Sequence, residues 1–262
     1  MKKTKLTRIT LVVLLLAIAS VWLIETPPGL DGKLTAIGFS VCHQIGSHSL
    51  EIGGRLLPLC ARCTGMYLGS LAALLYLANG KKRSDIPSKA RIITLAVLFA
   101  LFVVDGTNSM LSSFFEVPPL YPPSNFLRLV FGLVMGIILA NLILPLWNQT
   151  LWKNPDPKPV FSSWKQLGFL FLIETVIGVL VWLDIPFLYY PIAILSTGMI
   201  VVILSMVYTL LWTIILNKEC SLEKFTQGWY LYVVGVICAI AQIGLMDLIR
   251  FRIIGSWTGF QI

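Results

Sequence analysis

Cys42-His43 and, seventeen residues on, Cys60-Ala61-Arg62-Cys63 bring three of the chain's five cysteines and one imidazole into a 22-residue stretch. Thiolate and imidazole are the donors of a tetrahedral zinc site, and a C-x-x-C pair lets two sulfurs reach one ion from a single turn. The same residues suit a second chemistry. A thiol pair opening a helix is made acidic by the helix dipole, and Arg62 between the thiols would add to this, so Cys60 and Cys63 also read as a thiol–disulfide centre.

The elements that must hold these residues are membrane helices. Of 262 residues, 57% are apolar and only 12% charged, whereas a soluble domain carries about a quarter charged residues. Seven apolar stretches stand out: Ile9–Ile24, Thr64–Ala78, Ile92–Val104, Phe126–Trp147, Leu167–Leu183, Phe187–Leu216 and Gly228–Ile249. They predict an all-α, polytopic transmembrane helix bundle of about seven helices.

The net charge of +8 is explained by topology, and no nucleic-acid partner is expected. Lys2, Lys3, Lys5 and Arg8 precede the first stretch, and Lys81, Lys82, Arg83, Lys89 and Arg91 lie between the second and third. With Lys153, Lys158, Lys165, Lys218 and Lys224, 14 of the 20 cations fall on one side of an alternating path. That side is predicted to be the cytoplasm, with the N-terminus inside, in a multi-pass protein of the cell membrane. Arg250 and Arg252 fit poorly, because seven crossings would put them outside. Ala17-Ile18-Ala19 resembles a signal-peptide cleavage site, but the apolar run continues through Val21–Ile24 and reads better as a retained anchor.

One integral membrane domain, 1–262, is expected, with a motif-bearing four-helix part (1–147), a cytoplasmic linker (148–166) and a three-helix part (167–262). The Cys/His cluster falls in an irregular outer loop, Glu25 to Cys63, and a second outer loop runs from Asp105 to Asn125. The Pro-rich stretch in 148–166 reads as an extended, solvated connection. Gly65-x-x-x-Gly69 and Gly132-x-x-x-Gly136 are small-residue seams through which two helices can approach closely. Asp105, placed at the outer end of the third stretch, faces the negative end of a helix dipole and calls for a cation. Arg128 is the leading candidate and Arg62 the next; Asn125 shares the helical face of Arg128. Glu174 falls within an apolar stretch, Asp247 and Arg250 can pair at i, i+3, and Cys220 and Cys238 should stay apart from the outer cysteines.

The strings Cys42-His43-Gln44, Leu57-Pro58-Leu59-Cys60-Ala61-Arg62-Cys63-Thr64-Gly65-x-Tyr67-x-Gly69, Asp105-Gly106 and Asn125-x-x-Arg128 with Gly132 resemble the bacterial and archaeal membrane proteins of domain-of-unknown-function family 2085. The resemblance covers about residues 38–140. The chain departs from that pattern at Ser47-His48-Ser49, where an Arg-Ser pair is usual, and at Asn108, where glutamine is common. The resemblance implies a set of paired motifs and no established reaction.

Three functions are compatible with these residues. In the first, Cys42, His43, Cys60 and Cys63 bind zinc on the extracytoplasmic side, next to a pocket of Asp105, Asn125 and Arg128. Such a site is either structural or suited to hydrolysis or group transfer on an amphiphilic, lipid-like substrate. The second is quinone-linked thiol–disulfide exchange. The third is a non-catalytic scaffold or transporter whose cluster only holds the outer loop. Substrate, reaction and oligomeric state are not legible in the sequence.

Overall fold

The computed structural model describes residues 2–79, 82–115 and 117–260, with residues 2–6 described by their backbone alone. The side chains of Lys2, Lys3 and Lys5 and the whole of Lys81, which belong to the charge pattern, lie outside the described residues. Among the described residues eight α-helices predominate: α1 (Lys2–Glu25), α2 (Gly29–Phe39), α3 (Ala61–Ala78), α4 (Lys89–Phe114), α5 (Asn125–Leu151), α6 (Trp164–Trp182), α7 (Tyr189–Ile215) and α8 (Trp229–Ile254). Six of them, all but α2 and α3, are long and apolar enough to cross a membrane, so the chain is a polytopic transmembrane helix bundle.

α3 also runs the length of the bundle, but as its core. Its face of Thr64, Gly65, Leu68, Gly69 and Ser70 is buried, chiefly against α5 and then α7. The two glycine seams meet as their spacing predicts. A Cβ on Gly65 would lie 2.5 Å from the Leu129 carbonyl oxygen and one on Gly69 2.6 Å from that of Leu133, while one on Gly132 would collide with the Arg62 carbonyl. Only glycine allows this backbone-to-backbone approach, which in lipid is a main source of helix association. The contact fixes Arg62 and Cys63 in height and rotation against α5.

Chain connections sort into two ends. At one end lie α2, the antiparallel hairpin β1 (Ser49–Ile52) and β2 (Arg55–Cys60), and the segment after α6, whose Asp184 Oδ1 accepts from Gly53 N at 2.7 Å. The tail joins them, Phe260 N donating to His43 O at 3.0 Å. At the other end β3 (Arg83–Asp85) pairs in parallel with β4 (Asp156–Pro159), and Lys153 meets Glu223 at 2.8 Å. Lys82, Arg83, Lys153 and Lys224 thus share the end opposite the motif.

Three local expectations are corrected. The stretch 49–60 is an ordered hairpin: Gly53 and Gly54 take φ of +61° and +72°, the two positive angles of a tight two-residue turn. α4 does not stop at Asp105-Gly106 but runs on to Phe114, burying Asp105, Asn108 and Ser109 on one face. Residues 148–166 are docked rather than solvated: Val160 and Phe161 are fully buried, and Asn148 Nδ2 donates to Arg83 O at 2.6 Å.

Candidate metal centre

Cys60 is the last residue of β2 and the N-cap of α3, with φ −63° and ψ 160°. The strand delivers its thiol to the point where the helix begins, and Cys63 follows in the first turn. Cys42 arrives from the other side. α2 ends at Phe39, and the chain turns back there through Val41 N and Cys42 N, both donating to Gly38 O at 3.2 and 2.8 Å. Gln44, with φ +53°, reverses the chain again, and its Nε2 donates to Thr35 O at 2.9 Å and Pro58 O at 2.7 Å. One amide side chain therefore ties the Cys42 turn to the strand carrying Cys60.

The result is a cluster of three sulfurs, all within 4.8 Å of one another, with Cys60 N–H directed at Cys42 Sγ at 3.3 Å. Cys42 and Cys60 are each only 2% exposed; Cys63 is half-buried. The thiols titrate unequally. Hydrogen bonds from Cys42 and Cys63 hold the Cys60 thiol well below its ordinary range, the neighbouring His43 contributing less. That same bond to Cys60, together with burial, pushes Cys42 up to about 12. The cluster therefore favours one thiolate at Cys60 solvated by its neighbours.

His43 lies beside the sulfurs but outside the three-donor group. Its Nδ1 accepts from Ile45 N at 3.1 Å, so ligation through either ring nitrogen gives up this bond, because a neutral imidazole bound through Nε2 carries its proton on Nδ1. The His48 ring stands 5.2 Å away, edge to face, with Nε2 3.2 Å from Ser113 Oγ. Burial, helped by the charge of Arg128, lowers the His48 imidazole to about 4.

The polar residues around the cluster form two separate braces. Arg62 donates to Asp105 Oδ2 at 2.5 Å, and Tyr121 Oη donates to Oδ1 at 3.0 Å; the Asp105 side chain is 1% exposed. Arg128, expected as the partner of Asp105, instead donates to Asn125 Oδ1 at 2.7 Å and Ser109 Oγ at 2.8 Å. The cause is the length of α4: Asp105 sits more than two turns before the helix end, level with Arg62 of α3, and Ser109 one turn higher meets Arg128. Asn125 does not cap α5. That role belongs to Ser124, whose Oγ accepts from Leu127 N, while Asn125 Nδ2 holds the hairpin through Ser47 O and Ser49 O, both at 3.1 Å.

Arg250 of α8 is the residue sequence reasoning missed. Its guanidinium donates to the carbonyls of Phe39 at 2.6 Å, His43 at 2.9 Å and Cys42, and lies over the Phe39 ring at 4.0 Å. Its misfit in the charge pattern was the available signal. Cys220, near Gln149 O, and Cys238, near the Trp212 indole, are remote from the cluster as expected.

Residues 42–142 match the family described as "Predicted membrane protein (DUF2085)". The chain is 31% identical over 123 residues to the uncharacterized protein MJ1492 of Methanocaldococcus jannaschii, an overlap of 46% of this chain and 72% of that protein. It is 34% identical over 102 residues to an uncharacterized protein of Methanothermobacter thermautotrophicus, covering 39% of this chain and 83% of the relative. No solved structure matches. The matched region begins at Cys42 and ends within α5, so it contains all three clustered cysteines, Arg62, Asp105, Asn125 and Arg128, and on this footing the chain belongs to domain-of-unknown-function family 2085 of predicted membrane proteins.

Proposed function

We propose that this protein is a zinc-binding membrane protein in which Cys42, Cys60 and Cys63, completed by His43, hold a closed structural site that fastens the α2–hairpin lobe to the head of α3. The observation that carries this reading is the convergence of three sulfurs within 4.8 Å. A disulfide would use two of the three and strand one buried thiol, whereas a metal uses all of them. The backbone N–H aimed at Cys42 Sγ is the supporting bond a thiolate ligand needs. His43 is the weakest ligand, since binding costs its bond with Ile45.

A structural role is favoured over a catalytic one because Asp105 is committed to Arg62 and Tyr121, Arg128 to Asn125 and Ser109 and Asn125 to the backbone of Ser47 and Ser49, and Cys42 and Cys60 are closed off from solvent. By the cation pattern the lobe faces away from the cytoplasm in the cell membrane. The test is metal content of the purified full chain: about one zinc per chain, lost in Cys42→Ser, Cys60→Ser and Cys63→Ser and retained with weakened affinity in His43→Ala. Metal-free protein carrying a Cys60–Cys63 disulfide that a quinone re-oxidises would replace this reading by the redox one.

A further inference from the structure

The guanidinium of Arg250 offers five N–H donors in one plane, and most of its surroundings are accounted for. Nη1 donates to the carbonyls of Phe39 at 2.6 Å and of Cys42, and Nη2 to that of His43 at 2.9 Å. Its Cζ lies 4.0 Å from the ring centroid of Phe39 and 4.7 Å from that of Phe260. Nε is left buried without a partner. Asp247, one turn earlier on α8, has the complementary deficit. It is 2% exposed, its Oδ2 accepts from Trp22 Nε1 of α1 at 2.9 Å, and its Oδ1 is buried without a partner.

A guanidinium held inside a bundle by neutral carbonyls alone still lacks a counter-charge. Asp247 is the carboxylate whose charge acts on Arg250, and residues three apart on a helix are neighbours, so rotation of the side chains alone lets Nε–H and Oδ1 satisfy each other. We infer that Asp247 is a positioning residue for the metal centre: anchored by Trp22, it is the counter-ion that turns the Arg250 fork onto the Phe39–His43 turn and so holds Cys42 and His43 in the shape that presents them as ligands. The inference rests on the metal reading of the cysteine cluster. It gives α1, which packs chiefly on α8, a connection to the metal turn through Trp22, Asp247 and Arg250. All three lie outside residues 42–142, the region that matches the family.

The test is the rate at which the zinc-loaded full chain releases its metal to a coloured chelator under reducing conditions, read as a double-mutant cycle. Asp247→Asn is expected to speed release roughly fivefold when Arg250 is present and to change nothing when it is added to Arg250→Met, because its effect passes through the arginine. An Asp247 that merely pins α1 to α8 would act equally in both backgrounds. Trp22→Phe, which removes only the indole donor, speeds release less and in the same Arg250-dependent way, and it decides the matter if Asp247→Asn does not fold. Should the wild type hold no zinc, the metal reading fails by itself, and the same cycle is read as amide hydrogen exchange across residues 42–46 of the metal-free chain, which Asp247→Asn must raise only when Arg250 is present. Wild-type rates in Asp247→Asn, or in Trp22→Phe where the former does not fold, overturn the assignment, as does an equal effect in both Arg250 backgrounds.

Discussion

Arg250 Nη2 of α8 donates to the main-chain oxygen of His43 at 2.9 Å, joining two residues 207 positions apart. A cation from the last helix thereby neutralises the carbonyl-rich turn that presents Cys42. It also explains why an arginine stands at the end of the bundle that the charge pattern leaves poor in cations. Hydrogen bonds from a charged donor contribute about 1.5–3 kcal/mol each, so Arg250→Met is expected to lower the melting temperature in detergent and to speed zinc loss to a chelator. Arg250→Lys should not restore either, because an ammonium cannot span three carbonyls as a planar fork does. Wild-type zinc retention in Arg250→Met would show that the turn holds itself.

Arg62 and Asp105 form a buried pair, and removing one member leaves the other uncompensated at a cost of about 3–5 kcal/mol. Arg62→Gln and Asp105→Asn should each destabilise strongly, while the double variant costs clearly less than their sum. Asp105→Asn combined with Arg128→Gln should lie closer to additivity, since Arg128 bonds Asn125 and Ser109 instead. Thermal denaturation of the five variants and wild type reads both couplings, and a larger coupling for Asp105 with Arg128 would contradict the geometry.

Close approach through the glycines predicts a sharp contrast within one protein. A methyl at Gly132 meets the Arg62 carbonyl, whereas one at Gly168 of α6 meets nothing within 4 Å. Gly132→Ala should therefore cost about 2 kcal/mol or more through forced separation of α3 and α5, and Gly168→Ala should be neutral or stabilising by up to about 1 kcal/mol. Equal melting temperatures for the two would mean that the seam is not packed.

His48 supplies the pH prediction. Its folded-state value near 4 lies below the unfolded value near 6.5, so between those limits the unfolded chain binds the extra proton. Stability from keeping the ring neutral is then fully present above about pH 6.5 and lost progressively as pH falls toward 4. Zinc-depleted wild type should lose melting temperature across that window more steeply than zinc-depleted His48→Gln. Parallel pH profiles would show that His48 titrates freely in the folded state.

Much of this architecture is written in local sequence, and the rest is not for identifiable reasons. The Cys60–Cys63 spacing and the glycine seams are short-range signals, and each maps directly onto a contact. Gly53-Gly54 between β-prone residues was an equally local hairpin signal that a loop reading passes over. The reach of α4 was obscured by Asp105-Gly106, which looks like a helix stop; yet Asp105, Asn108 and Ser109 fall at i, i+3 and i+4, the spacing of one buried polar face. The choice of Arg62 over Arg128 follows from that extension. The Arg250 contact, by contrast, depends on how α8 packs against α2, and no local pattern specifies it.

The orientation proposed for the lobe rests on the cation pattern and is checked through Cys220, an exposed thiol at the basic end. A membrane-impermeant maleimide should miss it in intact cells and label it after permeabilisation. Labelling before permeabilisation would invert the orientation.

Zinc K-edge X-ray absorption on the purified full chain addresses the central claim most directly. Three sulfur scatterers at about 2.3 Å and one nitrogen at about 2.0–2.1 Å are predicted. A zinc shell of nitrogen and oxygen alone, or protein that carries no zinc when purified under reducing conditions with the metal supplied, would contradict it.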